Sequence, residues 1–306
     1  MFTVVSHAGQ CGGTQGVAID DRAYQPAVAY ARERLRDEAP GLQGRSAIIH
    51  HDDVRRMLMK MRALTEAARA VNYVSSAAMD FARHVQTAEQ RQSFQARIDL
   101  LTPIAKGWCT EVAQEVTSLG VQVHGGMGFV EETGCAQHMR DARITTIYEG
   151  TTGIQALDLV GRKILRDGGQ ALAALLEEMA SFAAEPDLAA DNLATIGKAY
   201  REGLGALQKA SVWLRDHAMD SPHTPGAIAF DFMMLMGTVI GGWQMARAAV
   251  VATKALAAGT GDQSFYQNKL VTANFYADHI MPRAKSYLDG VLAGHESVMG
   301  IDAELL

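Results

Sequence analysis

Glu149 is the residue of this 306-residue chain whose setting best suits acid–base chemistry. It stands between Tyr148 and Gly150, directly before two threonines that can begin a helix. A carboxylate in a tight turn beside an aromatic ring can serve as a general base. An acid just ahead of a helix can equally be structural, because it complements the positive end of the helix dipole. Spacing alone favours the structural interpretation.

The second candidate is the glycine-rich turn His124–Phe129 (HGGMGF). Glycines allow backbone N–H groups to approach a phosphate or another chain closely. A turn between two helices can also need glycines for its geometry alone. Both interpretations stay open from composition.

Other sequence signatures of catalysis are missing. The chain has no GxxxxGK[ST], HExxH or GxSxG motif. The run His50–Asp53 (HHDD) has residue types that bind metals, but adjacent side chains point apart along a chain. An Asp that begins a helix is usually a cap, so we expect no metal site.

The elements that must carry these residues are helices, because apolar residues recur at three- and four-residue spacing and alternating patterns are nearly absent. We expect Pro26 to kink or break the first helix, Asp52 to cap the second, and 87–93 to form a loop. Thr102 then caps a helix with Pro103 at its first position, and Thr151 or Thr152 caps another. The predicted helices are 14–37, 52–84, 103–123, 154–165, 170–183, 187–218, 226–258 and 262–293, and 133–143 is a short amphipathic stretch.

Asp167-Gly168-Gly169 marks a boundary. The sequence therefore predicts an all-α fold of two helical bundles, 1–167 and 168–306. Gly237 and Gly241, spaced four residues apart on a predicted helix, indicate a close helix–helix contact.

Composition narrows the partners and the compartment. The net charge is −6 and the sequence pI is about 5.9, which argues against nucleic acid or an anionic membrane as a main partner. The apolar run Met233–Trp243 is too short to span a bilayer, and the start, Met1–His7, lacks the basic residues of a signal peptide. Three cysteines without close pairing fit a reducing compartment, so we expect a cytoplasmic protein.

Three segments together resemble the C-terminal helical domain of acyl-CoA dehydrogenases. They are Val121–Phe129 (VQVHGGMGF), Met139–Arg143 (MRDAR) and Ile147–Thr152 (IYEGTT). Gly13-x-Gln15-Gly16 resembles the start of that domain's first helix, and 262–306 resembles the C-terminal extension of the subgroup that includes 3-methylmercaptopropionyl-CoA dehydrogenase. The fold implied is a four-helix bundle followed by a second helical bundle.

The resemblance implies a function and a set of roles. Glu149 matches the catalytic base that removes the α-proton of an acyl-CoA thioester, with FAD as cofactor and an electron-transfer acceptor downstream. The other matched positions divide by role: Tyr148 and Gly150 would border the substrate, Gln122, Gly125 and Gly126 would hold FAD of the neighbouring subunit, and Thr151 would touch FAD of its own. A homo-oligomer, dimer or tetramer, is implied as well.

This sequence departs from the family in several places. The family has an N-terminal helical domain and a central β-domain before this region, and neither is in the chain. An expected arginine is absent from Ala8–Cys11 (AGQC), and Arg34 is the nearest candidate for the FAD pyrophosphate contact.

Two hypotheses follow: part of an FAD-dependent acyl-CoA dehydrogenase, or a non-catalytic helical oligomerisation module that holds no flavin. The DNA-binding branch of the family is disfavoured by the acidic balance.

Overall fold

The structure, a computed structural model, describes residues 2–306, with side chains from Ala8 onward. Within this range the chain is helical, and a single β-bridge between Leu35 and Ala47 is the nearest approach to a strand. The all-α prediction is confirmed. The expectation that Met1–His7 is not a signal peptide concerns residues whose side chains lie outside the described part of the chain.

Residues up to the boundary near 167 form seven helices. Two π-helical segments, Ile104–Trp108 and Asp158–Leu165, continue α3 and α7 respectively. The helices are α1 (Phe2–Glu33), α2 (Asp52–His84), α3 (Ala88–Pro103), α4 (Cys109–His124), α5 (Gly126–Phe129), α6 (Cys135–Thr145) and α7 (Thr152–Leu157).

Six more helices follow a turn in which Gly168 and Gly169 adopt positive φ. They are α8 (Gln170–Ala183), α9 (Ala194–His217), α10 (Thr224–Ala257), α11 (Gln263–His279), α12 (Arg283–Leu292) and α13 (Glu296–Met299). The predicted division at 167 coincides with this turn, and the division into two domains stays a prediction.

Helix α10 is the apolar centre of the protein. By length and composition it could cross a membrane, but 78% of its most apolar stretch is buried against the other helices, the pattern of a core helix. The predicted close contact at Gly237 and Gly241 is confirmed: a Cβ at Gly237 would lie 2.2 Å from Trp108 Cγ. At Gly241 it would lie 2.6 Å from Tyr276 Oη.

The two segments share one core and are also joined by ion pairs. Buried residues of α1, α2 and α4 belong to the same hydrophobic cluster as those of α9 and α10. Glu115 on α4 receives two 2.7 Å hydrogen bonds from Arg283 on α12 and pairs with Lys60 on α2. Lys269 on α11 donates to Glu66 on α2 at 2.7 Å. The shared core and the ion pairs therefore pack the two segments against each other.

The predicted loop at 87–93 and the predicted helix start at Thr102 are both wrong. Thr87 caps α3 by accepting from Gln90 N, so 88–93 is helical. Pro103 lies inside a helical run that continues to His124. Proline lacks an N–H and its ring crowds the carbonyl of residue i−4, so a helix that contains it must adjust. The π-helical segment Ile104–Trp108 lies directly after Pro103.

Other boundaries also differ from the sequence pattern. Helix α1 begins at Phe2 rather than 14 and runs through Pro26 without a break. Asp52 is the first helical residue of α2 and His51 is the cap residue. The predicted helix 262–293 is divided, because Pro282 ends the run between α11 and α12. Short 3-10 turns precede α9, where one helix from 187 was expected.

Candidate active site

Glu149 has the only positive φ, 54°, among the non-glycine residues that the structure describes. A side chain with a Cβ is disfavoured there, and such strain persists only where surrounding contacts hold it. Gly150 follows with φ 89°, so two consecutive residues turn the chain sharply between α6 and α7. Thr151 then caps α7 by accepting from Ile154 N at 3.3 Å, which confirms the cap prediction.

Buried side chains hold the backbone of this turn. Lys106 Nζ donates to the Gly150 carbonyl at 2.7 Å, and Gln155 Nε2 donates to the Glu149 carbonyl at 3.0 Å. Thr152 N bonds to the Thr146 carbonyl at 3.0 Å, which closes the loop across the turn. The strained conformation is therefore fixed from both sides.

Lys106 lies in the first π-helical segment and is fully buried. Burial lowers the pKa of Lys106, while the carboxylates of Glu111 and Glu149 act in the opposite direction. Its ammonium lies 6.0 Å from the centroid of the Tyr148 ring. The lysine thus places a cation beside the candidate base.

The reacting side of the turn faces outward. The Glu149 side chain is exposed, and Tyr148 beside it is half-buried with its hydroxyl bonded to Gln15 Oε1 on α1. No acceptor within the described part of the chain takes the N–H groups of Glu149, Gly150 or Thr151. A carboxylate and a run of free amide donors are presented together, an arrangement suited to an oxygen that gains negative charge beside a proton-removing base.

The glycine-rich turn is built differently. Gly125 ends α4 with φ 60°, and a Cβ added at Gly125 or Gly126 would meet no atom within 4 Å. At Gly128 the added Cβ would lie 2.3 Å from the Val121 carbonyl oxygen. Gly128 is therefore required for packing, whereas Gly125 and Gly126 leave open backbone. Gln122, one turn earlier on α4, is exposed beside them.

His124 anchors this turn to the bundle. Its ring stacks on Tyr30 at a centroid distance of 4.5 Å, and its Nδ1–H donates a 2.8 Å hydrogen bond to the Gly120 carbonyl oxygen. Cys135 Sγ lies 3.3 Å from the ring. Burial raises the pKa of the Cys135 thiol. The histidine and cysteine are packing residues here.

The predicted site residues fall into two groups at opposite ends of α4. Tyr148, Glu149, Gly150 and Thr151 lie together at the end marked by Lys106. Gln122, Gly125 and Gly126 lie at the other end, about 24 Å away by the helical rise per residue. Arg34 belongs to this second end, because Tyr30, one turn before it on the parallel helix α1, stacks on His124. Arg34 is exposed.

Sequence reasoning missed the residues that support the Glu149 turn. Gln15 stands in the Gly13-x-Gln15-Gly16 pattern, which gives it no structural task, and Gln155 carries no role in the sequence analysis. Lys106 was passed over inside an apolar helix. One signal in the sequence could have identified Lys106. It lies three residues after a proline, on the apolar face of a helix, where a charged group must have a partner because an unpaired charge would be costly.

Two family models match the sequence. "Acyl-CoA dehydrogenase, C-terminal domain" matches residues 8–165, and "Acetyl-CoA dehydrogenase C-terminal like" matches residues 175–302. The chain is 44% identical over 283 residues to 3-methylmercaptopropionyl-CoA dehydrogenase of Ruegeria pomeroyi, covering 92% of this chain and 48% of that protein. It is 33% identical to the broad-specificity linear acyl-CoA dehydrogenase FadE5 of Mycobacterium tuberculosis, covering 99% of this chain and 52% of that protein.

Solved structures share the fold. An acyl-CoA dehydrogenase complexed with FAD from Bacillus anthracis superposes with a TM-score of 0.74 at 18% identity, covering 95% of this chain and 50% of that one. Caenorhabditis elegans ACDH-11 in complex with C11-CoA gives 0.72 at 19% identity, covering 98% and 47%. The chain spans about half the length of the curated relatives it matches.

Proposed function

The chain belongs to the acyl-CoA dehydrogenase family, and from that premise we propose that it is the helical half of an FAD-dependent enzyme that introduces an α,β double bond into an acyl-CoA thioester. The observation that carries the proposal is the Glu149 turn. Its strained backbone is held by buried donors, while the Glu149 side chain is exposed and the N–H groups of 149–151 have no acceptor among the described residues.

In this proposal Glu149 removes the α-proton of the thioester. The Glu149 N–H donates to the thioester carbonyl and stabilises the negative charge that develops on its oxygen. Tyr148 and Gly150 border the acyl chain. FAD, when bound, supplies the acceptor for the β-hydride, and the electrons leave through a separate electron-transfer acceptor.

The residues present fit the cofactor at two places. Gly125 and Gly126 leave open backbone that a Cβ would fill, which suits close approach by a phosphate. The Thr151 hydroxyl accepts from Ile154 N and keeps its own hydrogen free to donate. Gln122 and Arg34 are exposed at the glycine end and can reach the adenosine diphosphate part. Because the two places lie at opposite ends of α4, they would serve different FAD molecules.

Oligomerisation is part of the proposal for this reason. Large apolar side chains are exposed near both ends of α4, including Phe129 at 81%, Ile154 at 57% and Ile144 at 53%. Such surfaces rarely stay open to water. Size-exclusion chromatography with light scattering is expected to show a dimer or tetramer, and a monomer at micromolar concentration would oppose this part.

The test of the function combines the chain with the half of the Ruegeria pomeroyi relative that it does not cover. We expect FAD to bind, and 3-methylthiopropionyl-CoA or butyryl-CoA to reduce an electron-accepting dye. Glu149→Gln is expected to remove the dye reduction while FAD still binds. Absence of both FAD binding and dye reduction in the combined wild type would favour the non-catalytic oligomerisation module instead.

A further inference from the structure

The buried lysine beneath the Glu149 turn has no assigned task. Lys106 is the one cation among the largest fully buried side chains of the described residues. Burying an ammonium is costly unless it is hydrogen-bonded and paired. Its placement therefore calls for an explanation that apolar packing does not provide.

The helix around Lys106 is shaped to admit it. The π-helical segment Ile104–Trp108 directly follows Pro103, and Thr110 Oγ1 donates to the Lys106 carbonyl at 2.8 Å. On the facing helix α1, a Cβ at Gly12 would lie 3.3 Å from Lys106 Cγ. A π-helical turn inserted into an α-helix is frequent at functional sites. The glycine on α1 and the π turn together leave a channel for the lysine stem.

The channel directs the ammonium to one backbone acceptor. Lys106 Nζ lies 2.7 Å from the Gly150 carbonyl oxygen, directly after the strained residue Glu149. The ionisable groups that act on it are Glu111 on its own helical run and Glu149 in the turn, with the Tyr148 ring 6.0 Å away. Both carboxylates favour the charged form of the lysine.

We propose that Lys106 is a positioning residue for the base: it fixes the Glu149–Gly150 turn through its hydrogen bond to the Gly150 carbonyl. The fixing of the turn is independent of catalysis by this chain. Its consequence for the base rests on the proposed function.

The primary test is hydrogen exchange of the purified chain, without FAD. In Lys106→Met we expect exchange in peptides covering 146–152 to accelerate by about tenfold or more, with exchange in α10 unchanged. Lys106→Arg keeps a charged donor and should restore most of the protection. Lys163→Met, which removes a lysine outside the channel, is the matched control and should leave 146–152 unchanged. Lys106→Gln is the second removal variant.

Several results would overturn the proposal. One is unchanged exchange in 146–152 in a folded removal variant. Another is an equal acceleration in α1, α4 and α10, which would make Lys106 a general core residue. Failure of the Met, Gln and Arg variants to fold would lead to the same conclusion.

The second test uses dye reduction in the presence of the complementing half. The removal variants are expected to lower kcat about tenfold or more with KM within about twofold, because the base is displaced without loss of substrate contacts. An inactive wild type with a positive exchange result would count against the proposed function alone.

Discussion

The two ends of α4 carry turns that are built in opposite ways. At the Glu149 end, side chains of Lys106 and Gln155 hold the backbone in a conformation that a residue with a Cβ disfavours. At the glycine end, Gly125 and Gly126 have no side chain to place and nothing near them. The first turn fixes the backbone that carries the Glu149 carboxylate, and the second leaves open space around its backbone. The difference indicates that a reactive group needs fixed geometry, whereas a surface for a bound phosphate needs bare backbone.

The largest expected effect concerns the reactive turn. Glu149→Gln keeps the shape and removes the base, so dye reduction by the complemented chain should fall about 10³-fold. FAD binding, measured by flavin fluorescence, should be unchanged, because the glycine end is untouched. Glu132→Gln, at another exposed acid, is the control. A rate within about tenfold of wild type for Glu149→Gln would remove this residue from the base role.

The next prediction tests the tight packing of α10 against the helical run that joins the two turns. Gly237→Ala forces a Cβ to within 2.2 Å of Trp108 Cγ, at the start of α4. We expect about 3 kcal/mol lower free energy of unfolding in urea titrations. Gly205→Ala on α9, where an added Cβ meets nothing within 4 Å, should instead stabilise by up to about 1 kcal/mol. Similar stabilities for the two variants would contradict the tight contact.

Two substitutions at the glycine end separate FAD binding from packing. Gly126→Leu fills open space, so we expect FAD affinity to fall about tenfold, or about 1.4 kcal/mol, with little change in unfolding. Gly128→Ala meets the Val121 carbonyl oxygen at 2.3 Å and should cost about 2 kcal/mol of stability. Isothermal titration calorimetry measures the affinity for FAD, and urea unfolding measures the stability. Equal losses of stability would mean that both glycines serve packing alone.

The smallest effect depends on pH. Burial would raise the pKa of Glu115, but hydrogen bonds from Arg283 and Lys60 prevail and hold it below the ordinary value of 4.5. The carboxylate therefore stabilises the fold above pH 4.5, and this contribution is lost as pH falls through the lowered folded-state pKa. Glu115→Gln should cost about 1–2 kcal/mol at pH 7. The difference from wild type should shrink in unfolding curves taken below pH 4, and a difference independent of pH would contradict the ionic origin.

Sequence reasoning located both turns but not what supports them. The rare motifs around Gly125 and Glu149 identified the family, and helical periodicity predicted the main helices. The local rule that places proline at a helix start is wrong for Pro103, which lies inside a helical run with a π-helical segment directly after it. Lys106 could not be assigned from sequence, since its acceptor, the Gly150 carbonyl, lies 44 positions away along the chain.

The separation of the two ends is tested most directly by mixing variants of the complemented chain. Glu149→Gln keeps an intact glycine end, and Gly126→Leu keeps an intact base. The rates are compared at an FAD concentration near the wild-type Kd, where the Gly126→Leu variant, with its about tenfold weaker affinity, is mostly without FAD. If neighbouring subunits supply the two ends of each site, an equal mixture that exchanges subunits should recover about one quarter of the wild-type rate of dye reduction, above the average of the two separate variants. If one chain supplied both ends of the same site, the mixture would stay at the average of the two separate variants.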